Sequence, residues 1–286
     1  MNPAYINSKS ILSFIKTALK EDVGDGDHST LSIVDENHES SAQLLVKQDG
    51  VIAGLDLAQK IFLHLDQSCT ITFHKKDGEE VKTGEIAFII QGKTRALLTG
   101  ERLVLNCMQR MSGIATKTNK IVKLLSGTHS QLLDTRKTTP NFRMLEKWAV
   151  HIGGGKNHRF GLFDMIMLKD NHVDLAGGVE EAIRRAQNYI QTNQLDLKIE
   201  VETRNIDEVK QVVKTGGVDF IMLDNMIPSL MREAIQIIGG RYKTEASGGI
   251  TELNIKEVAT SGIDFISVGA LTHSYESLDM SLKTIK

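Results

Sequence analysis

Two rhythms of apolar residues divide this chain. Short alternating runs at residues 42–47, 70–74 and 85–91 read as half-buried strands, the last two joined through Lys76-Asp77-Gly78 and Thr83-Gly84. Within residues 53–65, Leu57, Ala58, Ile61, Phe62 and Leu65 recur at helical spacing, predicting an amphipathic helix that covers one face of this small sheet. From Thr99 the rhythm becomes one long helical stripe of Leu103, Cys107, Met111, Ala115, Thr118, Val122 and Leu125. One domain hands over to another here: residues 1–112 form an N-terminal α/β domain that includes the start of the linking helix, and residues 113–286 form the second.

After Gln131 one unit repeats: a short apolar run, a polar residue or glycine at its end, then a helical stretch. The runs lie at 131–134, 165–168, 197–201, 220–223, 244–246 and 265–268, which predicts a parallel sheet with helices outside. Each run is followed by a residue able to act: Arg136, Lys169, Glu202, Asp224, Ser247 and Gly269. An open doubly wound sheet accommodates such repetition, but in a barrel the carboxyl ends of all strands converge on one mouth, which accounts for one polar group per unit. The clear runs number fewer than eight, so an incomplete, irregular parallel α/β barrel is expected.

Composition removes several classes. With 286 residues, 41% of them hydrophobic, the chain can bury a sizeable core in one large domain or two smaller ones. Its 34 Lys and Arg against 36 Asp and Glu leave a net charge of -2, with no broad basic stripe for a nucleic-acid backbone. Apolar runs such as 86–90 are far shorter than a bilayer span, and residues 1–10 lack the basic flank and apolar segment of a leader, so no membrane partner and a cytoplasmic location are expected. Cys69 and Cys107 are isolated thiols without metal-ligand spacing and read as small buried apolar groups in a reducing compartment.

Against this even background, cations cluster. LDTRKTTP, GGGKNHRFG and LKDNH deliver Arg136, Lys137, His158, Arg159 and Lys169 from three adjacent segments, two of them beside glycine or turn residues. Such a local positive funnel suits a small, highly charged anion.

The segment TRKTTPNFRMLEKWAVHIGGGKNHRFGLFDMIMLKDNH resembles the signature of the quinolinate phosphoribosyltransferase family, the type II phosphoribosyltransferases. The likeness extends in order to KEDVGDGDHST, GERLVLNCMQRMSGIAT, IEVETRN, IMLDNM, ASGGI and SVGALTHS, and so covers nearly the whole chain. It implies an N-terminal sandwich-like α/β domain, a barrel of fewer than eight strands, and a homodimer, or a higher assembly such as a hexamer, with active sites between subunits. One departure is visible: Asn141 stands where the family usually has glycine, and Asn tolerates the left-handed conformation such a turn needs.

The resemblance implies transfer of phosphoribosyl from phosphoribosyl pyrophosphate to quinolinate, with decarboxylation to nicotinate mononucleotide, in NAD biosynthesis. Guanidinium forks match the two adjacent carboxylates of quinolinate; Arg136 and Arg159 are the expected clamps, with Thr135, His158 and Lys169 in the same wall and Arg102 reaching in from the neighbouring subunit. Ser247-Gly248-Gly249, leading into a helix start near Thr251-Glu252, and Val268-Gly269-Ala270 read as turns that cradle phosphate, with His273 in support. Glu202 and Asp224 are assigned to ribose hydroxyls, to Mg2+ directly or through water, and to the positive charge that develops at C1. After N-glycosylation the pyridinium nitrogen is its own electron sink, so no pyridoxal phosphate is expected; Lys137 and Lys169 orient carboxylates and assist proton delivery, and Lys137 also meets the phosphoribosyl group.

Other residues take plainer readings. Glu200 supports Glu202 from the same strand face, Thr138-Thr139-Pro140 is a rigid turn, and Met144, Leu145 and Trp148 are core. Asp25, Asp27 and His28 belong to a turn capped by Ser29 or Thr30 rather than to a metal site. Gly153–Gly155 permits a tight loop, and His172 holds the KDNH turn. Two alternatives stand beside the main one: a paralogue acting on nicotinate or another carboxylated base, which needs fewer cations, and a non-catalytic protein on the same scaffold, which would lack a charged site residue.

Overall fold

In the computed structural model, which describes residues 3–285, the chain forms two compact units. The first comprises Met1–Asn119, Thr138–Gly154 and Leu271–Lys286; the second comprises Lys120–Lys137 and Gly155–Ala270. In chain order the elements are α1 (Ser8–Val23), α2 (His28–Ile33), β1 (Glu39–Val46), β2 (Gly50–Val51), α3 (Leu55–Leu65), β3 (Thr70–Phe73), β4 (Glu80–Val81), β5 (Ile86–Lys93) and α4 (Thr94–Leu124). There follow β6 (Gln131–Leu133), α5 (Arg143–Ile152), β7 (Ile166–Leu168), α6 (Asp170–Ala176), α7 (Val179–Asn193), β8 (Ile199–Thr203), α8 (Ile206–Thr215) and β9 (Phe220–Asp224). The chain ends with α9 (Pro228–Ile238), β10 (Lys243–Ser247), α10 (Ile255–Ala259), β11 (Phe265–Ser267), α11 (Ala270–His273) and β12 (Met280–Ile285).

The first unit is built on an antiparallel sheet of order β12-β1-β5-β3, in which the last strand of the chain pairs with the first. Alternation along β1 buries Ala42, Leu44 and Val46, and α3 buries Leu57, Ala58, Ile61 and Phe62, whose ring meets Phe88 of β5 edge-on at 6.4 Å. The expected joining of residues 70–74 to 85–91 is observed as β3 paired with β5, with the short β4 between them paired to β2. Helix α4 begins at Thr94 rather than Thr99 and buries the predicted Leu103, Cys107, Met111, Ala115 and Thr118. Position 112/113 lies inside this continuous helix.

Two local readings are refined. The cap of α2 is Asp27, whose carboxylate accepts from the Thr30 N–H at 3.1 Å and from the Thr99 hydroxyl at 3.0 Å; Ser29 and Thr30 lie inside the helix, and Thr30 supplies the donor. Asn141 adopts φ 62, the left-handed conformation its place in the turn requires. Arg110 fastens that turn. Its guanidinium lies 5.0 Å from the Phe142 ring and 4.7 Å from the Tyr275 ring, and it donates to Thr139 Oγ1 and to the fully buried Glu146.

The second unit carries six parallel strands in the order β6-β11-β10-β9-β8-β7. Strands consecutive in the chain are neighbours from β7 to β11, and β6 closes onto β11, while among the described residues β6 and β7 do not pair with each other. The sheet is therefore an open barrel of six strands, as expected, and part of its gap is taken by Lys156, which bridges to Leu133. Outward residues Val201, Ile221, Leu223, Ala246 and Ile266 are buried, as are Val209 and Val212 of α8 and Met231, Ala234 and Ile238 of α9. Cys69 and Cys107 are buried free thiols, and burial pushes the Cys107 thiol up to about 12. No helix among the described residues is long and apolar enough to cross a membrane.

Gly113, midway along α4, packs against the chain at Glu276: a Cβ there would lie 2.0 Å from the Glu276 carbonyl oxygen and 3.1 Å from Ser277 Cα. Backbone on both sides has nowhere to go. Gly113→Ala should therefore destabilise the protein by about 1–3 kcal/mol despite the better helix propensity of alanine, and a denaturant midpoint equal to or above wild type would refute that packing.

Candidate active site

Parallel pairing puts alternate residues of every strand on the inner side of the barrel, and the carboxyl ends of the strands raise the last of these to its mouth. A cavity of about 750 Å³ opens there. It is lined by Thr135, Arg136 and Lys137 after β6, by His158 and Arg159, by Met167, Lys169, Asp170 and Asn171 at the β7–α6 junction, by Glu202 of β8, by Met222, Asp224 and Asn225 of β9, by Glu245, Ser247 and Gly248 of β10, and by Ser267 of β11. All five cations of the predicted funnel share this cavity with the two predicted carboxylates.

Local bonds explain how each segment is aimed. The Thr135 hydroxyl accepts from the Lys137 N–H at 3.0 Å, tightening the turn that turns Arg136 and Lys137 over the mouth. Fully buried Asp134 accepts from the His158 N–H at 2.9 Å and from the Asn157 side chain at 2.6 Å, tying the His158-Arg159 segment to the end of β6. The Arg159 guanidinium donates to the Met165 carbonyl at 3.1 Å; burial, then the nearby Arg136 charge, lower its pKa. Lys169 sits at the N-cap of α6, where its N–H donates to His172 Nδ1 at 2.9 Å, so His172 does hold the KDNH turn.

Below the mouth lies a group that the sequence reading undervalued. Glu200, 0% exposed, and Glu245, 1% exposed, approach His158 Nε2 at 2.8 and 3.3 Å. Burial, then the neighbouring Glu245 charge, push the Glu200 carboxyl up to about 7, because two buried carboxylates this close cannot both ionise readily. Burial works against a charged His158 imidazole, yet its hydrogen bond with Glu200 and the close Glu245 carboxyl group outweigh that and raise its pKa. The Arg159 N–H donates to His158 Nδ1 at 2.7 Å, which opposes a second ring proton and places the first on Nε2. Glu245 went unnoticed, although the period of two along KTEAS sets it on the same face as Ser247.

At the mouth, Glu202 is half-buried, and burial, then the Asp224 charge, raise its pKa; Lys169 works against that rise. Asp224 accepts from the Asn225 side chain at 2.6 Å, and Asn225 takes φ 54 to reach it. Gly248, at φ +88, is required here: a Cβ would stand 2.2 Å from Asn225 Oδ1. Two carboxylates that repel each other beside hydroxyl and amide oxygens fit the oxygen chemistry of a hard divalent cation. Among the described residues, the one group of three or more His, Cys and acidic side chains close enough to share an ion is the deeper His158, Glu200 and Glu245.

Not every predicted residue lines the cavity. Gly249, Val268, Gly269, Ala270 and His273 lie outside its lining; His273 is exposed and pairs with Ser274 Oγ at 2.7 Å. The helix expected near Thr251-Glu252 starts instead at Ile255 and is a single short turn, because Asn254 folds back to accept from the Thr251 N–H and to donate to the Gly249 carbonyl. Ala270 does open a helix, α11. Arg102 is exposed on α4, in the first unit.

A carboxyl group raised above its ordinary 4.5 stabilises the fold while it keeps its proton. The Glu200 contribution is thus complete below pH 4.5 and is lost as pH rises through about 7. Glu200→Gln, neutral throughout, should show a smaller fall in melting temperature between pH 5 and pH 8 than wild type; equal falls would contradict the raised carboxyl.

Comparison with known proteins agrees with this geometry. Residues 27–112 match the family model for the quinolinate phosphoribosyl transferase N-terminal domain, and residues 114–283 match that for the C-terminal domain. A mitochondrial quinolinate phosphoribosyltransferase (decarboxylating) 2b of Nicotiana tabacum is 44% identical over 284 residues, covering 94% of this chain and 80% of its own. A probable nicotinate-nucleotide pyrophosphorylase (carboxylating) of Bacillus subtilis is 42% identical over 262 residues, covering 92% and 89%. The crystal structure of NadC from Streptococcus pyogenes superposes with a TM-score of 0.91 at 40% identity, over 98% of this chain and 99% of that one. With both domains matched in order along almost its whole length, the chain belongs to the quinolinate phosphoribosyltransferase family.

Proposed function

We propose that this enzyme transfers the phosphoribosyl group of phosphoribosyl pyrophosphate to quinolinate with loss of one carboxylate, giving nicotinate mononucleotide, carbon dioxide and pyrophosphate for NAD synthesis. The observation that carries this reading is one cavity in which Arg136, Lys137, His158, Arg159 and Lys169 face Glu202 and Asp224. The cations suit a dianionic acid and a pyrophosphate; the carboxylates suit ribose hydroxyls and a developing cation.

In this reading the Arg136 and Arg159 forks take the substrate carboxylates, with Thr135, His158 and Lys169 completing the wall. Glu202 and Asp224 accept from the ribose hydroxyls, and their negative charge stabilises C1 as its bond to pyrophosphate lengthens. Ser247 and Gly248 meet phosphate oxygens at the end of β10. Glu202 and Asp224 would also hold Mg2+, directly or through water; the ion would supply charge neutralisation of the pyrophosphate. Once the pyridine nitrogen has bonded to C1, its positive charge stabilises the electron pair that departing carbon dioxide leaves on the adjacent ring carbon, until a proton takes that pair. Lys137 and Lys169 then steer the departing carboxylate and assist delivery of a proton to the ring carbon. Arg102, exposed on α4, is assigned to the site of a second copy in a homodimer. The two free, buried cysteines suit a reducing compartment, and we assign the cytoplasm, although the Nicotiana relative is named mitochondrial.

Purified protein given phosphoribosyl pyrophosphate, magnesium and either quinolinate or nicotinate should form nucleotide with quinolinate alone, with one carbon dioxide per nucleotide. Product from nicotinate alone would transfer it to a paralogous reaction, and binding without turnover would make it a non-catalytic relative. Lys137→Ala should lower kcat roughly 100-fold, the scale of one preorganised charge, with a much smaller change in quinolinate KM; the opposite split would remove Lys137 from the chemical step.

A further inference from the structure

We propose that Glu245, acting with Glu200, is a positioning residue that holds the His158 ring, and through it the Arg159 segment, in the geometry that receives the acidic substrate. A glutamate inside a barrel needs a reason. Ionised or not, a carboxyl group 1% exposed forfeits its hydration, and its neighbours on the adjoining strands in register, Met222 and Phe265, are apolar. Among the described residues the Glu245 oxygens make no hydrogen bond of ordinary geometry, yet Oε2 stands 3.3 Å from His158 Nε2. That is the distance of an acceptor sharing a proton already directed at Glu200, 2.8 Å away.

The ring is thereby located from opposite edges. Nε2 faces the two carboxylates in the barrel, and Nδ1 takes the Arg159 N–H at 2.7 Å. Fully buried Asp134 fixes the His158 N–H at 2.9 Å, so main chain and side chain are both tethered. Rotation of the ring would break the Nδ1 bond and release the backbone that aims the Arg159 guanidinium. Glu245 itself lines the cavity, so the ring is held directly against the space that receives the substrate.

The inference rests on the pocket being the quinolinate site, so wild-type binding is measured first. Calorimetric titration with quinolinate that shows no binding to wild type would sink that reading itself. Given wild-type binding, Glu245→Ala should weaken quinolinate about tenfold, the scale of one charge-assisted hydrogen bond, with the phosphoribosyl pyrophosphate KM within about twofold. Glu245→Gln keeps an acceptor at the same reach and should restore most of the loss; Glu245→Asp draws it back one methylene and should not. On a His158→Asn background, Glu245→Ala should add less than about twofold. Unchanged quinolinate affinity, an equal rise for both substrates, or a full effect without His158 would each overturn the inference. Should Glu245→Ala fail to fold, the Gln and Asp pair decides: Asp better than Gln would mean that charge, not position, is what Glu245 supplies.

Discussion

Strand register is the constraint on which everything else in the second unit depends. In a parallel barrel, side chains alternate between helices and interior, so a slip of one residue in any strand would exchange its two faces. Along β8 the faces are Glu200 and Glu202 inward, Ile199, Val201 and Thr203 outward; along β10 they are Glu245 and Ser247 inward, Thr244 and Ala246 outward. A slipped β8 would bury Val201 at the mouth and push two glutamates among the apolar side chains of the helices. The apolar outer faces therefore fix the position of the polar inner ones, and packing free energy is what pins the functional groups in place.

Placed in this way, the interior carries charge at two depths. The upper level mixes cations with Glu202 and Asp224 and is open to solvent, where screening tempers repulsion. The lower level is buried, and there His158 Nε2 stands 2.8 Å from Glu200 and 3.3 Å from Glu245. Such a group costs more than an apolar core would, so it persists only if it supplies something packing cannot. It supplies direction: a ring and a backbone N–H held at fixed angles beneath arginines whose own charges repel.

Much of this was legible in the chain because periodicity reports which face a residue occupies. The six apolar runs, helix α3 and the stripe of α4 follow from spacing, the open barrel from the polar residue that ends each run, and the cationic segments stand out against an even charge balance. What spacing could not show was pairing across long separations. Nothing local in residues 280–285 announces that β12 completes the first sheet beside β1, since that contact is made by chain ends. Helix α1, with its Asn7 cap, was likewise passed over, because its buried stripe of Ile11, Ile15 and Leu19 is narrow and interrupted by polar residues. Glu245 was missed for a related reason: a single acidic residue in a strand reads as exposed until its register partner on β11 shows that it points inward.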